Sequence, residues 1–310
     1  MSAPSAWRRP RFRVRTRCRS SVTGRLVAAA SPSVVTETGV TDFDEEALGA
    51  AYERGLKAEK SDDVEAAAEA YRECLRLDPA DHVGATIRLA GLGLVEPPAS
   101  VGHAYVSTLF DQHAETFDDI LVRQLHYRVP EMVGAVLRRD GRRYANVLDL
   151  GCGTGLTGAE IEDLVDHLTG VDLSEEMVRV SDERAVYDRL FVAEAVDFLR
   201  RHEPGTVFDL IVATDVVPYL GALEPFLSGL YDRLEGGGRA IFSTETMSDE
   251  ALAGRPYAVG RDQRFHHGES YLRNALLAQG FDVDHFEEIV VRLQEGKPAP
   301  GHLVMVSKPV

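Results

Sequence analysis

The most informative stretch of the sequence is residues 147–155, which are Val147-Leu148-Asp149-Leu150-Gly151-Cys152-Gly153-Thr154-Gly155. The first four have the composition of a buried strand, and three glycines follow at alternating positions. Glycine tolerates positive φ and lets a ligand approach the backbone closely. A strand, a glycine turn and a helix start form the ligand site of a doubly wound α/β sheet. The sequence therefore predicts an α/β fold with a ligand site at this turn.

Further segments downstream have the composition of buried strands, and predicted helices separate them. Between the last two, the turn Gly296–Gly301 is too short for a parallel crossover, so these strands must pair antiparallel. An acid, Asp172, ends the second strand 21 residues after Gly151, where an open α/β sheet places a carboxylate on a ribose diol. The predicted strands are 142–150, 168–173, 190–195, 208–213, 239–245, 281–292 and 302–308, and the helices are 127–139, 159–164, a helix opened by Ser174, one ending near Leu234, and 269–279.

Residues upstream of the glycine turn are predicted to be mainly helical. Amphipathic helices cover 47–56 and 64–77, and Asp78-Pro79 ends the second, because a residue before proline disfavours the helical region. A third helix is predicted near 83–92. Glycine and proline cluster in 91–100, which indicates a linker, and an aromatic-rich helix over 105–118 should lie across the carboxyl edge of the sheet. The predicted domains are an arm over 1–36, a helical region over 43–95 and an α/β domain over 101–310.

Composition excludes several classes of protein. The formal net charge is -16, which opposes binding to nucleic acid. No stretch approaches the roughly 20 apolar residues of a membrane helix. The three cysteines, Cys18, Cys74 and Cys152, are odd in number and widely spaced, which favours a reducing compartment, here predicted to be cytoplasmic. No H-E-x-x-H motif or cysteine cluster indicates a metal.

The charge is unevenly distributed along the chain. Residues 1–36 hold eight arginines and no lysine or acid, a charge of +8, which leaves -16 - 8 = -24 for the remaining 274 residues. An acid-free start rich in Arg and Ser is typical of an organelle transit peptide. A disordered arm or a start codon assigned too far upstream is favoured over a transit peptide, and the three interpretations stay open.

Four stretches together resemble the class I S-adenosylmethionine-dependent methyltransferases, in matching order and spacing. They are VLDLGCGTG (147–155), TGVDLSEEM (169–177), FDLIVATDVVPYLG (208–221) and LEGGGRAIFSTE (234–245). The resemblance implies a seven-stranded Rossmann-like sheet with a reversed last strand, helices on both faces, and S-adenosylmethionine bound across the edge that holds Gly151. A nicotinamide-binding turn would have glycine at position 156, where this chain has Leu156.

The helical region resembles one tetratricopeptide repeat, as in bacterial methyltransferases that carry such a repeat ahead of a segment like LFDQHAETFD (109–118). Counted back from Pro79, Gly55, Ala67, Tyr71 and Cys74 fall at the packing positions of the repeat. Stacked repeats need about three units to bury a core. A single unit is therefore expected to pack on the main domain or on a second copy of the chain, and partner binding is the alternative.

The resemblance assigns roles to individual residues. The glycines let the backbone approach the methionine moiety, Asp172 accepts hydrogen bonds from the ribose hydroxyls, and Asp149 holds the amino group. Glu194 stands where relatives contact the adenine amino group, with a helix N-cap role as the alternative. Cys152 serves as a small spacer. The predicted cofactor-binding residues are Asp149, Gly151, Cys152, Gly153, Gly155, Asp172, Leu173, Met177, Glu194, Ala195 and Thr214.

Methyl transfer is an in-line displacement whose rate depends largely on positioning, and a base is needed only when the acceptor loses a proton. The predicted catalytic residues are His113, Asp215, Tyr219 and His267, and His266 is a further candidate base. Asp215-Val216-Val217-Pro218-Tyr219 departs from an Asn/Asp-Pro-Pro-Tyr motif, which argues against methylation of adenine or protein glutamine.

The predicted function is methyl transfer to an oxygen or nitrogen, less favourably a carbon, of a small molecule. One alternative is a protein methyltransferase that recruits its substrate through the helical repeat. Another is a non-catalytic scaffold that binds the cofactor. Self-association through the helices is predicted as a further partner interaction, and neither nucleic acid nor a membrane is expected.

Overall fold

The computed structural model describes residues 15–16, 44–203 and 205–310. Apart from 15–16, the predictions for the arm over 1–36 lie outside the described residues. Within the described part of the chain, no helix is both long and apolar enough to cross a membrane.

A single sheet organises the chain, in the spatial order β1-β4-β3-β2-β5-β6-β10-β9. Strands β2 to β6 pair in parallel, β10 is antiparallel to both β6 and β9, and the two-residue β1 is antiparallel to β4. The seven predicted strands and the reversed last strand are therefore confirmed. The strands are β1 (Arg15–Thr16), β2 (Tyr144–Leu150), β3 (Val165–Asp172), β4 (Arg189–Val192), β5 (Phe208–Ala213), β6 (Leu234–Glu245), β7 (Tyr257–Val259), β8 (Phe265–His267), β9 (Asp282–Gln294) and β10 (Lys297–Ser307).

Helices cover both faces of the sheet, because the central parallel strands are apolar on both sides and need a layer on each. One core packs the sheet against α8, α9 and α11, and the other packs it against α5 and α6. The helices are α1 (Glu45–Lys60), α2 (Val64–Leu77), α3 (Ala85–Gly91), α4 (His103–His113), α5 (Val129–Asp140), α6 (Leu156–Ile161), α7 (Glu175–Glu183), α8 (Ala195–Arg201), α9 (Glu224–Arg233), α10 (Asp249–Leu252) and α11 (Glu269–Gln279).

The hairpin between β9 and β10 is tighter than predicted. Only Glu295 and Gly296 connect the strands, and their φ angles of 50° and 76° match a two-residue primed turn. The predicted turn over 296–301 is wrong, because β10 already begins at Lys297. Pro298 and Pro300 are tolerated there, since the pairing of β10 with β6 begins only at Gly301.

Strand β6 also begins earlier than predicted, at Leu234 rather than Arg239. The glycines at 236–238 lie inside this strand and do not form a loop before it. The register of β6 against β5 shifts between Phe208 and Leu210, which is how glycine-rich strand segments are commonly accommodated. The chain therefore turns directly from α9 into the sheet.

The three predicted upstream helices are present as α1, α2 and α3. Tyr71 is buried against Gly55, where an added Cβ would lie 2.5 Å from the ring. Ile87 and Ala90 of α3 pack in one cluster with Val259 and Phe265 of the β7–β8 hairpin. The helical unit is therefore seated on the α/β domain, and its resemblance to a tetratricopeptide repeat stays a prediction.

Candidate functional site

A cavity of about 950 Å³, counted with its open mouth, lies at the carboxyl ends of β2, β3, β4 and β5. Ligands of open α/β sheets bind at this edge. Ten of the fifteen predicted site residues line the cavity: Gly151, Cys152, Gly153, Asp172, Leu173, Glu194, Ala195, Thr214, Asp215 and Tyr219.

The glycine turn uses the left-handed backbone that its residues allow. The φ angle of Gly151 is +67°, and an added Cβ would lie 2.3 Å from Cγ2 of Val216. Gly153 has φ +53°, and its added Cβ would meet protein only at the ring of Phe117, 4.0 Å away. The bare backbone at Gly153 therefore leaves space that a ligand can occupy.

Asp172 joins the end of β3 to the glycine turn. Its Oδ2 accepts a 2.9 Å hydrogen bond from the Gly153 backbone N–H, and its Oδ1 accepts one of 2.9 Å from Ser174 N–H. Burial raises the pKa of Asp172 to about 6, and the two backbone donors oppose that rise. Each oxygen keeps a second lone pair, so the carboxylate can accept further hydrogen bonds from a ligand.

Glu194 lines the cavity and also caps α8. Its two carboxylate oxygens accept hydrogen bonds from the backbone N–H groups of Val196 and Asp197, at 3.0 and 2.7 Å. The N-cap role that was left as an alternative is therefore present, and it places the acid at the wall beside Ala195. The contact between Glu194 and adenine remains a prediction.

Three predicted cofactor residues lie behind the wall, since Asp149, Gly155 and Met177 do not line the cavity. Asp149 is fully buried beneath the turn, where its Oδ2 accepts a 2.7 Å hydrogen bond from the Tyr187 hydroxyl. Burial raises the pKa of Asp149 to about 7. Burial also raises the pKa of the Cys152 thiol well above its usual range, which keeps the thiol protonated in the wall.

The β5 end of the cavity is formed by Thr214, Asp215 and Tyr219. Asp215 adopts a left-handed φ of +60°, and its backbone N–H donates to Ser243 Oγ at 3.0 Å. A non-glycine residue held in this region signals a constraint that the surrounding structure maintains. The Thr214 hydroxyl lies 2.8 Å from that of Thr157.

The carboxylate of Asp215 is held by Arg264, a residue that sequence reasoning missed. Arg264 donates to the two oxygens of Asp215 at 2.7 and 3.2 Å, to Glu245 at 3.0 Å and to the Tyr219 hydroxyl at 2.9 Å. Arg292 also pairs with Glu245 and donates to both of its carboxylate oxygens. Arg264 lies in the connection between β7 and β8, and this hairpin was not predicted.

The predicted histidines are engaged with protein groups outside the cavity wall. His113 Nδ1 lies 2.7 Å from the Leu109 carbonyl, and His267 Nε2 lies 2.9 Å from the Gly221 carbonyl. Burial lowers the pKa of His267 to about 4. His266 pairs with Asp262 at 3.0 Å, and the hydrogen bond to this carboxylate raises its pKa against the opposing effect of burial. The structure thus brings Asp215 and Tyr219 to the cavity, and leaves His113 and His267 outside its lining.

The cover of the cavity comes from α4 and the turns that follow it, as expected for the aromatic segment over 105–118. Val106, Phe110 and Phe117 line the cavity from this segment. Two acids attach this segment to the α/β domain: Asp111 accepts a hydrogen bond from Ser174 Oγ, and Asp118 accepts one from Thr154 Oγ1. Arg184 pairs with Asp118 as well.

Residues 148–240 match the family model described as a methyltransferase domain. A malonyl-[acyl-carrier protein] O-methyltransferase from Bacillus anthracis is 29% identical over 37% of this chain and 44% of that relative. The mitochondrial ubiquinone biosynthesis O-methyltransferase of Mus musculus is 31% identical over 34% of this chain and 30% of that relative. The chain thus spans less than half the length of these two relatives.

Among solved structures, the magnesium protoporphyrin IX methyltransferase of Synechocystis PCC 6803 with bound SAH superposes with a TM-score of 0.51. The sequences are 18% identical, and the match covers 66% of this chain and 99% of that one. This likeness shows the fold, and the family model adds the assignment of the central segment. Residues 148–240 are therefore similar to a methyltransferase domain, and the chain has a Rossmann-like α/β fold.

Proposed function

We propose that the chain transfers a methyl group from S-adenosylmethionine to an oxygen or nitrogen of a small-molecule acceptor. The hydrogen bond between Asp172 and Gly153 is the observation that supports this most strongly. It sets a buried carboxylate with free lone pairs beside a backbone cradle, at the edge where open α/β sheets bind ligands.

Several features of the cavity support binding of the donor. The bare backbone at Gly153 leaves room for the methionine moiety, and Asp172 can accept from the ribose hydroxyls. Glu194 and Ala195 would border the adenine. Strands β4 and β5 are three strand spacings apart, about 14 Å, so the donor can extend from Glu194 towards Asp215. When bound, the donor supplies an electrophilic methyl group on a sulfonium.

The β5 end would receive the acceptor. Positioning provides much of the rate in such a displacement, and Tyr219 with the aromatic cover restricts how an acceptor can lie. Asp215 is the carboxylate at this end that can take a proton from a hydroxyl or ammonium group, directly or through water. A small acceptor is favoured because Phe110 and Phe117 cover the cavity.

The helical unit α1–α3 is proposed to act as a tetratricopeptide-like element that packs on the domain. Its contacts with the β7–β8 hairpin support this role over that of a free peptide receptor. Recruitment of a protein substrate and self-association through these helices are the alternatives. The free, buried cysteines Cys74 and Cys152 support the proposed cytoplasmic location.

Methyl-labelled S-adenosylmethionine distinguishes these functions. The full chain is incubated with the labelled donor and a panel of phenols and amines, and the small molecules are then separated from protein. Label among the small molecules supports the proposal, and label only in added protein supports the protein methyltransferase. Donor binding without any transfer supports the non-catalytic scaffold.

A further inference from the structure

We infer that the β5 end of the cavity selects an apolar acceptor that is uncharged or cationic at the reacting end, and disfavours one bearing a carboxylate or phosphate. This inference rests on the proposed function and specifies its substrate class. It also assigns Arg264 as a positioning residue that holds Asp215 and leaves no guanidinium charge for an anion.

The acidic side chains that line the cavity disfavour an anionic acceptor. Three carboxylates line the cavity, those of Asp172, Glu194 and Asp215. Of the residues that the structure describes, no lysine or arginine lines it, and His103 is exposed at the rim. An anionic acceptor placed beside Asp215 would lose hydration without gaining a cationic partner from the cavity lining, which is costly.

Arg264 is the guanidinium that contacts the acceptor end, since it donates to both Asp215 and Tyr219. Its side chain is 14% exposed and already serves Asp215, Glu245 and Tyr219. Its charge is therefore balanced by two carboxylates. An anionic acceptor would have to displace Asp215 to reach it, whereas a hydroxyl or ammonium group can donate to the remaining lone pairs of Asp215.

The remaining wall is mainly apolar. Val101, Pro130 and Leu220 line the cavity together with Tyr127, whose ring adds one phenolic hydroxyl. Tyr127 is 4% exposed. Burial against such a surface rewards an acceptor with an apolar body. The combination of an apolar wall and one paired carboxylate defines the acceptor as a ring or chain that ends in a hydroxyl or amine.

Three probes of one shape test the inference: 2-naphthol, 2-naphthylmethylamine and 2-naphthoate. Each is titrated calorimetrically at pH 7.5 into the full chain saturated with S-adenosylhomocysteine. We expect naphthoate to bind at least about tenfold more weakly than naphthol. Asp215→Asn exposes the charge of Arg264, so the ratio of naphthoate to naphthol affinity should rise by about tenfold. Arg264→Gln should lower that ratio and favour the amine.

Naphthol is the matched control, because a change in shape alone moves all three probes together. Naphthoate binding as tightly as naphthol would overturn the inference, as would a ratio unmoved by Asp215→Asn in protein that still binds S-adenosylhomocysteine. Failure of all three probes to bind would also overturn it. If the unaltered chain does not bind S-adenosylhomocysteine at all, the proposed function is overturned, and this inference with it.

Discussion

The carboxylate of Asp172 and the backbone N–H of Gly153 are 2.9 Å apart and form one hydrogen-bonded unit. This bond connects the end of β3 to the turn after β2, so the acid and the glycine cradle keep a fixed relative position. A second bond from Ser174 N–H fixes the other oxygen and leads into α7. The ligand site is thus built from local backbone geometry before any ligand arrives.

Gly151→Ala should destabilise the protein by about 1–3 kcal/mol. The substitution places a Cβ 2.3 Å from Val216 and imposes a left-handed φ on a non-glycine residue. Urea unfolding measures the loss. The double variant Gly151→Ala/Val216→Ala should recover only part of it, since the clash is relieved and the backbone strain is not. If Gly151→Ala is as stable as the unaltered chain, the turn does not require glycine at position 151.

Asp118→Ala should loosen the cover of the cavity. Asp118 joins the cover to Thr154 and Arg184, so its loss frees the segment after α4. We expect faster amide hydrogen exchange over residues 103–124 and dissociation of S-adenosylhomocysteine that is faster by about tenfold. Asp119→Ala is the matched control, because Asp119 is 54% exposed and its ion pair is with the exposed Arg123. Identical dissociation rates in the two variants would contradict the role of Asp118.

Asp149 should make the ligand-free protein less stable as the pH rises. Its pKa is raised by burial to about 7, above the unfolded value of about 4. Between these values the folded state binds more protons, so the free energy of unfolding falls as pH rises from about 4 to about 7. Urea unfolding at pH 5 and pH 8 measures the difference. Asp149→Asn keeps an acceptor for Tyr187 and should reduce the loss of unfolding free energy between pH 5 and pH 8 by a few kcal/mol. If the variant loses as much unfolding free energy as the unaltered chain, Asp149 does not titrate in this range.

Arg292→Met should cost about 3–5 kcal/mol of stability, because Glu245 would lose one of its two guanidinium partners. Arg292 and Glu245 are 3% and 0% exposed. The double variant Arg292→Met/Glu245→Gln should lose less than the single one, since no uncompensated carboxylate remains. Chemical denaturation of both variants measures this, and a larger loss in the double variant would contradict the ion-pair account.

The parts of the fold set by local patterns could be predicted from the sequence. Buried strands with apolar runs and a glycine turn fixed the sheet, and Asp172 and Asp215 were expected at its carboxyl edge. Helix α11 was predicted with the bounds that the structure has. These features depend on residues close together in sequence, which is why their signal is strong.

The parts set by long-range contacts could not be predicted. Arg264 lies 49 residues from Asp215, in the short connection between β7 and β8, where no periodic pattern marks it. His113 and His267 were chosen by residue type and position, whereas their hydrogen bonds to the Leu109 and Gly221 carbonyls depend on tertiary packing. Asp149 was expected to hold the amino group of the cofactor, directly or through water; in the structure its carboxylate lies beneath the glycine turn and accepts a hydrogen bond from Tyr187.

Cofactor binding is the central claim, and calorimetric titration with S-adenosylmethionine and S-adenosylhomocysteine tests it most directly. The unaltered chain should bind both, and Asp172→Ala should weaken binding by at least about 100-fold, because the ribose acceptor and the bond to Gly153 are lost together. Glu175→Ala, an exposed acid at the start of α7, is the matched control and should bind normally. Binding that survives Asp172→Ala unchanged, or no binding by the unaltered chain, would contradict the account.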